Sequence, residues 1–182
     1  MSTPDTQEDD RILCALALAM LQEPKASLQD LAKTIGISRS TLYRFCQTRE
    51  QLIERLLAHG TRMVGQSINT ADLETAPPLD AFRRLIDSSL KHREITAFLT
   101  RYWKPEDECP DPTWDDKLDA FFLRGQQAGI FRIDIPAPAL TEIYVSLFIG
   151  LVEAETNGRV ARAGLGDLIE RVFLHGTASQ LN

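Results

Sequence analysis

Apolar residues recur at helical spacing along most of the chain. A first helix over residues 10–21 is predicted by the apolar side chains that share one face: Ile12, Leu13, Leu16, Ala19 and Met20. Two capping-box patterns, Ser27-Leu-Gln-Asp30 and Thr48-Arg-Glu-Gln51, each open a further helix, and Ser38 caps a short one between them. About the first 65 residues therefore predict four helices with short connections, after a polar, acidic tail at residues 1–9.

A linker is predicted after these helices. Residues 67–78 (SINTADLETAPP) are polar, lack periodicity and end in two prolines. Helical spacing then resumes over residues 79–90 and 95–103. Asp111 and Pro112 predict the N-cap and first turn of another helix, which Gly129 ends.

The last two predicted helices differ in character. Residues 139–156 are apolar over more than one stripe, which indicates burial on two sides, and Asn157-Gly158 ends this helix. Residues 165–178 form an amphipathic helix. No segment alternates with period two over a useful length, so the fold class is all-α.

Composition narrows the class of protein. The chain of 182 residues is 43% hydrophobic and 25% charged, as in ordinary globular proteins. Its longest apolar runs, 12–21 and 143–152, are too short for a membrane span, which needs about 20 residues. Acidic residues precede the first run, where an export signal would be basic. The three cysteines do not suggest a disulfide framework. We therefore expect a cytoplasmic protein without membrane contact.

The strongest functional signal is a helix-turn-helix spacing. Ala32 is small enough to let two helices cross closely, and Gly36 accepts the backbone conformation of a tight turn. Ile37 and Leu42 then fill the angle between the helices. The second helix begins with polar residues 38–41, where a recognition helix would meet DNA.

This segment resembles a known family. DLAKTIGISRSTLYRF followed by TREQL is similar to the DNA-binding segment of the tetracycline-repressor (TetR) family of transcriptional regulators. FFLRGQQAGIFRIDIPAPALTEIYVSLFIGL is similar to that family's linker and dimerisation helix. The resemblance implies an N-terminal helix-turn-helix DNA-binding domain of three to four helices over residues 1–66. A helical effector-binding and dimerisation domain would follow over residues 67–182.

The resemblance also implies DNA contacts, residue by residue. Arg39 is the best candidate to bond a guanine edge, and Tyr43 stands where the family has a phosphate-contacting tyrosine. Arg49 would hold a phosphate together with the start of the fourth helix. The whole candidate set is Lys33, Ser38, Arg39, Ser40, Thr41, Tyr43, Arg44 and Arg49. Cys46 departs from the family, which often has an aromatic residue there.

Aromatic residues of the second domain are candidates for an effector pocket. A mostly apolar cavity would suit a small apolar or aromatic molecule, whereas the alternative is that these rings form core. The candidates are Phe82, Phe98, Tyr102, Trp103, Trp114, Phe122 and Tyr144.

The implied function is a ligand-responsive repressor acting as a homodimer. The helices at about 139–156 and 165–178 would pair with their copies, and the two recognition helices would meet a pseudo-palindromic operator in double-stranded DNA. The main alternative is an effector-independent helical DNA-binding or interaction protein. A more distant alternative is a helical enzyme.

Chemistry of other kinds is not indicated. His59, His92 and His175 lack partners at metal-ligand spacing, and carboxylates around Cys109 disfavour a thiolate. No motif suggests catalysis or a cofactor, so we expect neither.

The net charge of −6 is unevenly distributed along the chain. Residues 25–62 contain seven basic and three acidic side chains, a formal charge of +4. The predicted DNA-binding helices are therefore basic within an acidic chain, as phosphate binding requires.

Overall fold

The protein is helical wherever its structure is described. The computed structural model describes residues 4–103 and 113–175, and these ranges contain no strand. The helices are α1 (Pro4–Gln22), α2 (Leu28–Thr34), α3 (Arg39–Phe45), α4 (Arg49–Thr70), α5 (Pro78–Leu90), α6 (Arg93–Tyr102), α7 (Thr113–Gln127), α8 (Ala137–Thr156) and α9 (Leu165–His175).

The described residues fall into two compact units. The first comprises residues 4–64 together with 92–103, and the second comprises 65–91 together with 113–175. The first unit is therefore discontinuous, since it includes α6, which the sequence analysis assigned to the second domain. Helix α4 contributes residues to both units.

Local sequence signals explain the helix boundaries of the first unit. Ser27 caps α2 in a reciprocal capping box with Asp30, as predicted. Gly36 has φ +74°, a conformation that side chains with a Cβ rarely adopt, and it allows the sharp turn between α2 and α3. At the start of α4, Thr48 Oγ1 accepts from the Gln51 amide at 3.2 Å. The Gln51 side chain accepts from the amide of Gln47, one residue earlier than in a reciprocal capping box.

The core of the first unit fixes the crossing of α2 and α3. Ala32 and Leu42 are both buried, and α1 packs against α2 and α6. Gly60 of α4 lies where an added Cβ would be 2.8 Å from Cγ of Leu99. A larger residue at Gly60 would therefore push α4 and α6 apart.

The core of the second unit is rich in aromatic rings. Phe82 of α5 lies 4.8 Å from Phe173 of α9 between ring centroids. An added Cβ at Gly125 of α7 would be 2.1 Å from Cδ2 of Phe131, so the ring rests directly on the helix backbone. Gly129 and Gly158, with φ +71° and +70°, follow α7 and α8 as predicted.

Three sequence expectations require correction or lie outside the described residues. Residues 4–9 belong to α1 rather than to a frayed tail, and Asp9 is held by an ion pair to α3. Residues 67–70, predicted as linker, continue α4 because Ile68 is buried and anchors the last turn. The predicted N-cap at Asp111 and Pro112 lies outside the described residues, as does Cys109.

Helix α8 is apolar on more than one side, as its sequence indicates. Tyr144 and Phe148 are buried, whereas Ile143 is 45% exposed. By length and composition alone, α8 could span a bilayer, and it is the single such helix in the residues described here; 33% of its apolar stretch is buried. A helix that lies between its own core and a partner subunit meets the same criterion.

Candidate nucleic-acid interface and ligand pocket

Hydroxyl groups cluster at the exposed N-terminus of α3. Ser38 Oγ accepts from the Thr41 amide at 3.0 Å and lies 2.8 Å from the hydroxyls of both Ser40 and Thr41. The Ser38 hydroxyl therefore serves as the N-cap. Ser40 is exposed beside it.

Arg39 and Tyr43 form a pair one turn apart on α3. Arg39 Nη2 donates to Tyr43 Oη at 3.0 Å, and the guanidinium carbon lies 5.1 Å from the ring centroid. Both side chains are exposed, Tyr43 by 40%. The pair holds a guanidinium and a phenol together on the surface, a combination that suits base edges and phosphates.

The other basic candidates differ in their surroundings. Lys33 is exposed in the last turn of α2. Arg44 pairs with Asp9 of α1, with Nη2 and Oδ1 3.1 Å apart. A carboxylate of α1 therefore competes with any phosphate for Arg44. Cys46, the departure from the family pattern, is the buried C-cap of α3.

Arg49 has a structural role that the sequence did not predict. Its Nη1 donates to the carbonyl of Ala26 at 2.8 Å, and its Nη2 donates to the carbonyl of Pro24 at 2.7 Å. The guanidinium thereby ties the start of α4 to the connection between α1 and α2. No local signal could reveal this contact, since its partners lie more than 20 residues away along the chain.

His59, whose spacing in the sequence indicates no metal site, is a buried titratable group. Arg62 Nη2 donates to its Nδ1 at 2.8 Å, so the neutral ring carries its proton on Nε2, 3.8 Å from Sγ of Cys14. Asp10 accepts from the same Arg62 nitrogen at 2.8 Å. Burial lowers the pKa of His59 to about 4, although Asp10 acts in the opposite direction.

The predicted pocket residues are divided between the two units. In the first unit, Phe98 and Tyr102 stack with centroids 4.4 Å apart, and Phe98 is fully buried. In the second unit, Phe82 lies 6.3 Å from Phe122 and 5.5 Å from Tyr144 between ring centroids.

The two tryptophans lie apart from these ring contacts. Trp103 is the half-buried C-cap of α6 in the first unit. In the second unit, Nε1 of Trp114 lies 3.6 Å from the position that a Cβ would take if Gly65 had one. The structure thus brings Phe82, Phe122 and Tyr144 together as core rings of the second unit, and it stacks Phe98 on Tyr102 separately in the first unit.

A cleft that the sequence did not predict lies in the second unit. Its volume is about 590 Å³, and it is bordered by the end of α4, the connection to α5 and one side of α7. None of the seven aromatic candidates lines it. Its lining residues are Ile68, Asn69, Asp72, Leu73, Glu74, Thr113, Asp116, Lys117, Ala120, Phe121 and Arg124.

Metal and thiol chemistry find little support in the described part of the chain. Within it, no three His, Cys, Asp or Glu side chains are grouped so that they could hold a metal ion. Burial, with smaller effects of Glu94 and Asp10, raises the pKa of Cys14 to about 11. Burial also raises the pKa of Cys46. Both thiols are therefore poor nucleophiles at neutral pH.

Comparison with known proteins gives one strong sequence match. The chain is 44% identical over 177 residues to the HTH-type transcriptional regulator NfxB of Pseudomonas aeruginosa, covering 94% of this chain and 95% of that protein. It is 32% identical over 117 residues to the HTH-type transcriptional repressor LfrR of Mycolicibacterium smegmatis, covering 64% of this chain and 58% of that one. A family model described as the helix-turn-helix domain of resolvase matches residues 5–49.

Solved structures share the fold over nearly the whole chain. The TetR-like transcriptional regulator LfrR from Mycobacterium smegmatis, in complex with proflavine, superposes with a TM-score of 0.69 at 26% identity. That match covers 96% of this chain and 99% of LfrR. The MbdR regulator from Azoarcus sp. CIB superposes with a TM-score of 0.72 at 15% identity, covering 94% and 99% of the two chains. The second likeness concerns the fold alone.

Proposed function

Because the chain belongs to the TetR family of helix-turn-helix transcriptional regulators, we propose that it binds a pseudo-palindromic operator as a homodimer and that a small apolar or aromatic effector releases it. We place this activity in the cytoplasm, where the DNA is. The observation that carries the proposal is the exposed Arg39–Tyr43 pair behind a hydroxyl-lined helix N-terminus, in a chain 44% identical to a transcriptional regulator.

The proposed DNA contacts come from α2 and α3. Ser40 and Thr41 would meet the major groove together with the capping residue Ser38, and Arg39 would read a guanine edge. Tyr43, Lys33 and Arg44 would contact phosphates, Arg44 in exchange for Asp9. We propose that Arg49 keeps its hydrogen bonds to the carbonyls of Ala26 and Pro24 and thereby positions the DNA-contacting residues of α2 and α3.

The proposed dimer contact is the exposed side of α8 together with α9, within residues 139–156 and 165–178. Ile143 is 45% exposed on this side. Gly150 lies on it with no atom within 4 Å of an added Cβ, so a partner helix could approach the backbone closely. Glycine inside a helix costs about 1 kcal/mol relative to alanine, and close packing against a second copy would offset that cost.

The oligomeric state tests this contact directly. Static light scattering at micromolar concentration should give a dimer for the natural chain and a monomer for Ile143→Asp. The control Ile133→Asp changes a side chain that is 84% exposed in the connection before α8, and it should leave the dimer intact. A monomeric natural chain would overturn the dimer proposal.

An effector is proposed because of both family and fold. The relative LfrR has been solved with proflavine, a planar aromatic molecule. Helix α4 begins shortly after α3 in the first unit and ends in the second unit, so a ligand that displaced the end of α4 would also act on the residues that follow the helix-turn-helix. Such a ligand must bind the two positions of α4 with different affinity.

The decisive experiment is binding to the DNA upstream of the chain's own coding sequence, measured by fluorescence anisotropy with and without proflavine. We expect tight binding that proflavine weakens. Arg39→Ala should weaken binding by roughly tenfold, and Arg84→Ala, a control on α5, should not. No preference for this DNA over random sequence would refute the operator. Binding that no compound in an apolar and aromatic screen alters would favour the effector-independent alternative.

A further inference from the structure

We infer that Tyr43 helps to determine the sequence specificity of operator binding, because it orients the Arg39 guanidinium for contact with a guanine base. The inference rests on the proposed function, since it takes operator recognition by α3 as its starting point. It concerns what the phenol does to a neighbouring side chain, whereas the family resemblance implies only a contact between this tyrosine and a phosphate.

Two contacts hold the guanidinium of Arg39 against Tyr43. Nη2 of Arg39 donates to Tyr43 Oη at 3.0 Å, and the guanidinium carbon lies 5.1 Å from the centroid of the phenol ring. The two residues are four apart on α3, the spacing at which side chains on one face of a helix meet. A hydrogen bond and a cation–π contact thus restrict a long side chain that has many rotamers when it is unconstrained.

The neutral phenol distinguishes the surroundings of Arg39 from those of two other arginines in the first unit. Arg44 pairs with the carboxylate of Asp9 at 3.1 Å, and Arg62 pairs with that of Asp10 at 2.8 Å. In both of these pairs a negative charge opposes the attraction between the arginine and DNA. The Tyr43 ring orients Arg39 without adding such a charge, so the attraction of Arg39 for DNA is retained.

The contact with Tyr43 leaves Arg39 enough donors to bind a base. A guanidinium has several N–H donors, and Tyr43 accepts from one of them. The remaining donors suffice for a bidentate contact with O6 and N7 of guanine. The Tyr43 hydroxyl keeps its own hydrogen, which it can donate to a phosphate oxygen. One phenol can therefore connect the base-contacting side chain to the DNA backbone.

This arrangement affects specificity and not only total affinity. A guanidinium that is already oriented loses less conformational entropy when it meets the correct base. It is also less free to turn towards another acceptor when the base is wrong. Removal of the Tyr43 hydroxyl should therefore lower the preference for guanine. A tyrosine that contacts only a phosphate would instead contribute equally to every sequence, since the backbone contains no base information.

Binding to operators with single replacements locates the base that Arg39 contacts. Fluorescence anisotropy with the full chain measures affinity for the upstream operator and for variants in which each G·C pair is replaced in turn by A·T, symmetrically in both half-sites. The natural chain should lose roughly tenfold or more in affinity at the pair that Arg39 contacts. Arg39→Ala should bind the natural operator and that one replaced operator equally well.

Tyr43→Phe is the diagnostic variant, because it keeps the ring and removes the oxygen that accepts from Arg39. We expect it to reduce the preference for guanine at the Arg39 position about fivefold, the effect of one hydrogen bond. Preferences at the other positions should not change. Tyr43→Leu also removes the ring and should reduce the preference further. In the Arg39→Ala background, Tyr43→Phe should have no additional effect on this preference.

Lys33→Gln is the matched control, because Lys33 is an exposed phosphate candidate on α2. It should weaken binding to every operator variant by the same factor and leave all base preferences intact. Thermal unfolding of each variant without DNA checks the fold. Tyr43 is 40% exposed, so its replacement should leave Tm unchanged.

The possible results separate this inference from the proposed function. If Tyr43→Phe weakens binding to all sequences equally, or changes the guanine preference even without Arg39, Tyr43 does not act through Arg39 and the inference is wrong. An Arg39→Ala chain that keeps every base preference would also overturn it. Operator recognition itself survives these results, and it fails only if the natural chain does not prefer its upstream DNA over random sequence.

Discussion

Replacement of Arg49 distinguishes a structural role of this side chain from a direct contact with a DNA phosphate. The guanidinium donates at 2.8 and 2.7 Å to the carbonyls of Ala26 and Pro24, which lie in the connection between α1 and α2. A hydrogen bond from a charged group contributes about 1.5–3 kcal/mol when buried, and less at this half-buried position. We therefore expect Arg49→Gln to lower the free energy of unfolding by about 2 kcal/mol in total.

Arg49→Lys retains the charge but can reach only one carbonyl at a time, so it should lose about half of that stabilisation. For a chain of this length, 1 kcal/mol corresponds to about 2–4 °C in Tm. Thermal unfolding followed by circular dichroism should therefore show losses of roughly 4–8 °C for Arg49→Gln and 2–4 °C for Arg49→Lys.

Operator binding measured at several salt concentrations supplies the second readout. A lost phosphate contact lowers the slope of log affinity against log salt by about 0.9. If Arg49 acts only through the loop, Arg49→Gln should change that slope by less than about 0.3. Lys33→Gln is the control, because Lys33 is an exposed phosphate candidate whose loss should lower the slope and leave Tm unchanged. An unchanged Tm and a lowered slope for Arg49→Gln would refute the reasoning.

Three further predictions concern pH, charge and packing. The pKa of His59 is about 4 in the folded chain and near 6.5 when unfolded. Since the unfolded chain binds a proton at His59 more readily, the free energy of unfolding keeps its full His59 contribution above pH 6.5 and falls towards pH 4 by up to about 3 kcal/mol. Urea unfolding should show this loss in the natural chain and not in His59→Gln. Asp9→Asn frees Arg44 from its ion pair, so operator affinity should rise about threefold with a steeper salt dependence, and unchanged affinity would argue against a phosphate role for Arg44. Gly125→Ala forces a Cβ to within 2.1 Å of an aromatic ring and should lower the free energy of unfolding by about 2 kcal/mol. Gly65→Ala meets only ordinary contacts at 3.6 Å and should raise the free energy by up to about 1 kcal/mol, so equal Tm changes would contradict the packing argument.

Features that depend on neighbouring residues were predicted from the sequence. The capping box of Ser27 and Asp30 and the positive φ of Gly36 both lie within a turn of the residues that signal them. The helix-turn-helix spacing is equally local, because Ala32 and Leu42 are both buried and lie on the two sides of a single turn. The prediction of a frayed tail is wrong for residues 4–9, because a polar segment gives no periodic signal although it belongs to the same helix as the apolar residues that follow.

Contacts between segments far apart in the chain follow from the fold and not from local sequence. The sequence predicts a surplus of positive charge in the helix-turn-helix. In the fold, however, Arg44 pairs with Asp9 and Arg49 donates hydrogen bonds to loop carbonyls. Aromatic residues that share helical spacing are indistinguishable in sequence, but the fold places Phe98 in one core and Phe82 in another. The cleft of the second unit arises where the end of α4 meets α7, more than 40 residues later. Helical periodicity reports which face of a helix is buried, and it contains no information on which distant segment buries it.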